Sequence, residues 1–239
     1  VTTNPAIFHK AISGGRYYED DLAALKQQPL SAEARYEALV IPDVQRACDL
    51  LAPLHRDSGG SAGYVSLEVS PALAHDADGT VAAGLRLKAA VDRPNLLIKV
   101  PATPAGLVAI ERLIGEGVSV NVTLMFSLAH CEGVGEAYLR GLARLRAAGG
   151  DVAGVMSVAS LFLSRVDTLV DKLLEERGGD LPELRGRTAV AMARLAYEAY
   201  QARFHGGGFE DLAAAGARPQ FMLWASTGTK NPAYPDLLY

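Results

Sequence analysis

The sequence predicts an α/β fold built as a (β/α) barrel, and three observations carry that prediction. Short apolar runs alternate with amphipathic helical stretches from residue 64 onward, a pattern that requires a parallel sheet with right-handed crossovers. Polar residues recur near the carboxyl end of one run after another: Glu68, Lys99, Asn121 with Thr123, Ser157 with Ser160, and Ser226. Barrel enzymes hold their chemistry at that end of the strands. Finally, no run leads into a glycine-rich dinucleotide turn, since "AGGDVAG" and "EGVGE" match one by composition only.

The first sixty residues read as helical. Asn4 and Pro5 make a good helix start for "NPAIFHKAI", and "SGG" at 13–15 breaks it. Spaced apolar positions then run through "RYYEDDLAALKQQ" and "SAEARYEALVIPDVQRACDLLAPLHRD", with Pro42 expected to begin a new helix. "DSGGSAG" at 57–63 is a loop. Strands follow at 64–70, 95–101, 119–124, 155–162 and 220–227. Helices separate them, one bearing Leu107, Ile110 and Ile114 on one face, another Val166, Val170, Leu173 and Leu174. A further helix spans roughly 186–204, and "VTTN" at the start reads as the stub of a sixth strand. Eight strands close such a barrel, so about six of eight are expected here, the first and last missing.

Composition narrows the function classes. The chain of 239 residues is 49% hydrophobic and 21% charged, ordinary for a soluble domain. A net charge of −4, scattered along the chain, gives no electrostatic reason for a nucleic-acid or membrane partner. Cys48 and Cys131 are too few for a disulfide scaffold and fit a reducing, cytoplasmic setting. No apolar stretch approaches the ~20 residues of a membrane span, and "VTTNPAIFHK" does not resemble a signal peptide.

The chemistry concentrates on "PNLLIKVPAT", where Lys99 sits among Leu96, Leu97, Ile98 and Val100. Desolvation disfavours an ammonium, and a lysine that is partly neutral can attack a carbonyl to form an imine. The alternative is a lysine that snorkels or simply forms an ion pair. Side chains alternate along a strand, so Ser66, Glu68 and Ser70 share one face, as do Asn121 and Thr123. Glu68 is then either a proton carrier beside Lys99 or its salt-bridge partner. Ser160 with Arg165 stands at a strand-to-helix junction, an anion site or a surface feature. Ser226 and Lys230, in "WASTGTK", supply a second candidate phosphate contact.

Taken together, "TTNPAIFHKAISGG", "VSLEVSPALAHD", "RPNLLIKVPAT", "GVSVNVTLMFS", "SVASLFLSRVD", "ARLAYEAY" and "LWASTGTKNPAYPD" resemble the transaldolase family in its longer bacterial form. The resemblance runs the whole length, in family order, and implies a single (β/α)8 TIM barrel domain over 1–239, with a mostly helical segment at 5–60. It implies Lys99 as the imine-forming lysine, with Glu68 and Thr123 holding a catalytic water. It implies that Asn4, Asn121 and Ser160 bind hydroxyls of a dihydroxyacetone unit, and that Arg165 and Ser226 bind phosphate. Sugar phosphates are then the substrates, as in the pentose phosphate pathway, with no metal or organic cofactor and a monomer or homodimer as the assembly.

Two departures bear on those implications. Shorter relatives carry an arginine soon after the serine equivalent to Ser226, whereas here Lys230 offers a point charge in place of a planar fork. The family's first-strand aspartate, which moves protons during carbon–carbon cleavage, has no counterpart in this sequence. The expectation is therefore a portion of a longer chain, some relatives of which continue into a glucose-6-phosphate isomerase domain. A fructose 6-phosphate aldolase, or a sugar-phosphate-binding fragment without catalysis, are the alternatives.

Overall fold

The computed structural model describes residues 1–177, 182–235 and 238–239. Its sheet contains β1 (Val65–Glu68), β2 (Leu96–Pro101), β3 (Val120–Met125), β4 (Ser157–Phe162) and β5 (Phe221–Ala225). All are parallel and lie side by side in sequence order. Every boundary falls within two residues of the one expected from periodicity. The order never reverses among the described strands, so no topological switch point of the doubly wound kind arises. The stub at the start also finds a place: Thr2 bridges Ser66 in parallel, and Thr3 N–H donates to the Ser66 carbonyl at 3.2 Å. These short contacts cover the outer edge of β1.

Three helices precede the sheet: α1 (Pro5–Gly14), α2 (Glu19–Lys26) and α3 (Ala32–Asp57). The expected break at Pro42 does not occur, because α3 runs through both Pro42 and Pro53. A proline removes one backbone N–H and frees the carbonyl four residues earlier. Pro42 and Ala38 both lie on the exposed side of α3, where solvent can satisfy that carbonyl. On the opposite side Leu39, Val40, Val44 and Cys48 are buried. Each such side chain contributes about 1.5–3 kcal/mol by leaving water, enough to carry the helix across the proline.

The strands alternate with α4 (Ala77–Val91), α5 (Pro104–Gly115), α6 (Leu128–Ala147), α7 (Ser164–Glu176), α8 (Thr188–Phe204) and the short α9 (Glu210–Ala214). Asp76, Thr103 and Ser127 cap the first turns of α4, α5 and α6, each accepting a backbone N–H. α6 comes against α5 at Gly141, where a Cβ would stand 2.6 Å from Ile114 Cβ. Only glycine allows that approach. Between helices and sheet lies the core of Val65, Leu67, Ile98, Val100, Val120, Val122, Ala159 and Leu161, with Ile110, Leu113, Ile114 and Leu142. Since alternate side chains point to opposite faces, the residues between them face away from this core.

α7 departs from the ordinary pattern. Its buried residues are Ser164, Asp167 and Asp171, while Leu169 and Leu173 of the same helix are exposed. The apolar stripe legible in the sequence is therefore not the side α7 buries. No helix among the described residues is long and apolar enough to cross a membrane.

Candidate active site

Strand register assembles the site. Glu68 is the pairing partner of Lys99 across β1 and β2, and Lys99 is the partner of Asn121 across β2 and β3. Three side chains from three strands thus stand in one row on the face turned away from the helix-side core. Lys99 is 7% exposed, and its Nζ donates to Glu68 Oε2 at 3.0 Å and to the Thr3 carbonyl at 3.2 Å. Sequence alone leaves desolvation as the means of freeing the amine. The structure adds a specific partner, a carboxylate within hydrogen-bond reach of the amine.

Next in the row, Asn121 Nδ2 donates to Ser66 Oγ at 2.9 Å, and Ser160 Oγ donates to Asn121 Oδ1 at 3.0 Å. All three residues are buried. This chain satisfies both ends of the Asn121 amide inside the row, its nitrogen giving to Ser66 and its oxygen accepting from Ser160. Thr123 is also buried and sits opposite Pro101, one step further along β3 on the Lys99 side. Immediately after it the β3–β4 register shifts, and Leu124 takes φ +60°, a left-handed conformation unusual for a branched residue. Such a bulge interrupts the ladder, which resumes with Met125 opposite Leu161, and re-aims the neighbouring side chains.

Asn4 arrives through the stub. Thr3, which accepts from Lys99, precedes it directly, and Asn4 caps α1 by accepting from Ile7 N–H at 2.8 Å. With the carboxamide oxygen so used, its NH2 is the group left for a ligand. Behind Glu68, between β1 and α1–α3, lies a mainly apolar hollow of about 570 Å³ lined also by His9, Arg35 and Tyr36. Burial first, then the charges of Glu68 and Glu37, push the Tyr36 phenol up to about 12. It remains a protonated phenol beside Glu68 at neutral pH.

The anion-binding candidates divide into two groups. Arg165 and Ser226 flank the first turn of α7. Arg165 is exposed, its guanidinium 5.3 Å from the centre of the Phe162 ring. Ser226 takes φ +53° directly after β5. Ser164 N–H donates to its carbonyl at 3.0 Å, and the two hydroxyls meet at 2.8 Å. The same amide is therefore already used at the start of α7, and Val166 N–H donates to Leu163. Lys230, by contrast, lines a hollow of about 170 Å³ between α7 and the segment after β5. Asp167, Asp171 and Glu175 line it too, so this lysine is among carboxylates instead of in the Lys99 row.

Sequence reasoning misses Thr3, Tyr36 and Phe162. Only Phe162 carried a local signal, as the aromatic residue three positions before Arg165. No cluster of three His, Cys, Asp or Glu residues among the described ones is placed to hold a metal ion.

Comparison with known proteins finds relatives along the whole chain. The family model described as Transaldolase/Fructose-6-phosphate aldolase matches residues 1–239. A protein of Thiobacillus denitrificans named Transaldolase is 57% identical over 240 residues, covering 100% of this chain and 67% of that protein. A Transaldolase of Neisseria gonorrhoeae is 51% identical, with 100% and 66% covered. A Transaldolase 1 of Streptomyces avermitilis is also 51% identical, with 100% and 64% covered. The chain thus spans about two thirds of the length of the curated relatives it matches.

Proposed function

Because this chain belongs to the transaldolase/fructose-6-phosphate aldolase family, we propose that it carries the imine chemistry of a transaldolase, with Lys99 as the nucleophile. The observation that carries the reading is a buried amine held 3.0 Å from a carboxylate at the end of a parallel strand. Glu68 takes a proton from Lys99, and the neutral amine adds to the C2 carbonyl of a ketose phosphate such as fructose 6-phosphate or sedoheptulose 7-phosphate. Loss of water, positioned by Glu68 and Thr123, leaves an iminium. The C3–C4 bond then breaks as the C4 hydroxyl gives its proton through the positioned water to the Glu68 carboxylate, and the bonding pair flows into the iminium to make an enamine. The aldose phosphate departs and a dihydroxyacetone unit stays bound. Its carbon attacks the aldehyde of an acceptor, glyceraldehyde 3-phosphate or erythrose 4-phosphate, whose oxygen takes the proton back from Glu68 through the same water. Water finally adds to the iminium and the new ketose leaves.

The buried Ser66–Asn121–Ser160 chain supports roles for Asn121 and Ser160 in holding the hydroxyls of the retained unit, and Asn4, which follows the Lys99-bound Thr3, is assigned the same task. Arg165 and Ser226 bind the phosphate of donor and acceptor in turn. A covalent unit kept between two half-reactions gives ping-pong kinetics.

The family description also names an aldolase, which releases dihydroxyacetone to water. The high identity to proteins named Transaldolase favours transfer. Product analysis separates the two. With fructose 6-phosphate and erythrose 4-phosphate together, transfer yields sedoheptulose 7-phosphate and glyceraldehyde 3-phosphate. Free dihydroxyacetone formed at the same rate with and without acceptor would overturn transfer.

A further inference from the structure

Helices of soluble proteins bury apolar residues and expose charged ones. α7 does the reverse with Ser164, Asp167 and Asp171, which are 1%, 1% and 8% exposed. Spaced at i, i+3 and i+7, they fall on one side of the helix. A buried carboxylate is tolerated only with donors around it, and both aspartates have two. Asp167 accepts from Ala189 N–H at 2.8 Å and from the Tyr239 phenol at 2.6 Å. Asp171 accepts from Gly186 N–H at 3.0 Å and from the Tyr234 phenol at 2.5 Å. Gly186 has φ +66°, and a Cβ there would meet the Tyr234 ring at 2.9 Å, so the ring lies directly on that glycine. Ser164 completes the stripe with its two contacts to Ser226.

All three buried positions of this stripe thus hold the segment that follows β5. That segment carries Ser226, strained at positive φ, and Lys230. A non-glycine residue persists in such a conformation only where its surroundings over-determine it. Arg165 rides on the same helix, one position after Ser164.

We propose that Asp167 and Asp171 are positioning residues for the phosphate of the sugar: with Ser164 they tie the segment after β5 to α7, at Tyr239, Tyr234 and Ser226, so that Ser226 and Arg165 reach the anion as one rigid unit. The inference rests on the reading of Ser226 and Arg165 as phosphate ligands. It assigns the buried acids and the two tyrosines a task in affinity, distinct from the imine chemistry at Lys99.

The test uses Tyr234→Phe, which keeps the ring on Gly186 and removes only the phenol, together with Asp171→Asn. KM for fructose 6-phosphate is expected to rise about tenfold in Tyr234→Phe, the size of one lost hydrogen bond to a charged group, with kcat within about twofold. Binding of inorganic phosphate, followed by calorimetry, is expected to weaken by the same factor. Asp171→Asn, if it folds, should weaken phosphate binding at least as much. An unchanged phosphate affinity in Tyr234→Phe, whatever happens to its melting temperature, would overturn the proposal. So would a fall in kcat at constant KM, or the absence of phosphate binding to the unmodified chain. Calorimetry needs no turnover, so a chain that binds phosphate without transferring dihydroxyacetone would refute the proposed reaction and leave this test intact.

Discussion

Removing the charge of Glu68 should cost stability and activity together, and the stability part can be worked from the geometry. The Lys99 and Glu68 side chains are only 9% and 14% exposed, with 3.0 Å between Nζ and Oε2. Little water is available to replace either partner. Truncation in Glu68→Ala leaves a nearly buried ammonium with the Thr3 carbonyl as its remaining acceptor, a loss of about 3–5 kcal/mol. Glu68→Gln keeps an acceptor of the same shape and loses about 1.5–3 kcal/mol. Replacing both groups should recover part of this, because Lys99→Met with Glu68→Gln leaves no charge to strand. Urea unfolding of the parent, both single variants and the double variant closes the cycle, with a coupling above about 1 kcal/mol expected. Single-variant losses that add within about 0.5 kcal/mol would mean the two groups do not interact, and the reasoning would fail. On activity, Glu68→Gln should slow turnover by about 10²–10⁴, the range for a lost proton carrier.

Asn121→Ala strands the hydroxyls of Ser66 and Ser160, both buried, and should lower stability by about 1–3 kcal/mol for each, read from the urea midpoint. Arg165→Ala should raise KM for phosphorylated donors by more than tenfold with a smaller change in kcat, and Arg165→Lys should recover only part of it, since an ammonium lacks the bidentate fork. Equal KM values in parent and Arg165→Ala would remove the residue from the phosphate site. Burial pushes the thiols of Cys48 and Cys131 up to about 11 each. At pH 8.5 a thiol-specific reagent should therefore label the native chain far more slowly than the urea-unfolded one, whose thiols titrate near ~8.5. The same raised values mean that above about pH 9 the unfolded chain releases protons the folded chain keeps, so stability should fall with rising pH there. Tyr36 pushes in the same direction at higher pH.

Much of this fold was legible because its signals are local. The five strands are apolar runs bounded by turn residues, and alternation alone put Glu68 with Ser66 and Asn121 with Thr123 on shared faces. The sheet register then made one row of Glu68, Lys99 and Asn121, which no single strand could announce. Pro42 misled because a proline's effect on a helix depends on whether water can reach the freed carbonyl, and exposure is a tertiary property. The left-handed residues Leu124 and Ser226 carry no sequence mark either, since neither is a glycine or an asparagine. Least visible were the ties of Asp167 and Asp171 to Tyr239 and Tyr234, formed across 72 and 63 residues of chain. In the sequence those acids look like the solvent side of an amphipathic helix, and only the packing of α7 reverses them.

Trapping the imine tests the central claim most directly. Borohydride added in the presence of fructose 6-phosphate should reduce the iminium to a stable secondary amine, and peptide mapping should find the added three-carbon unit on the peptide containing Lys99, with none in Lys99→Ala. An adduct confined to Lys88 or Lys230, or an unmodified Lys99 under conditions where donor is consumed, would contradict it.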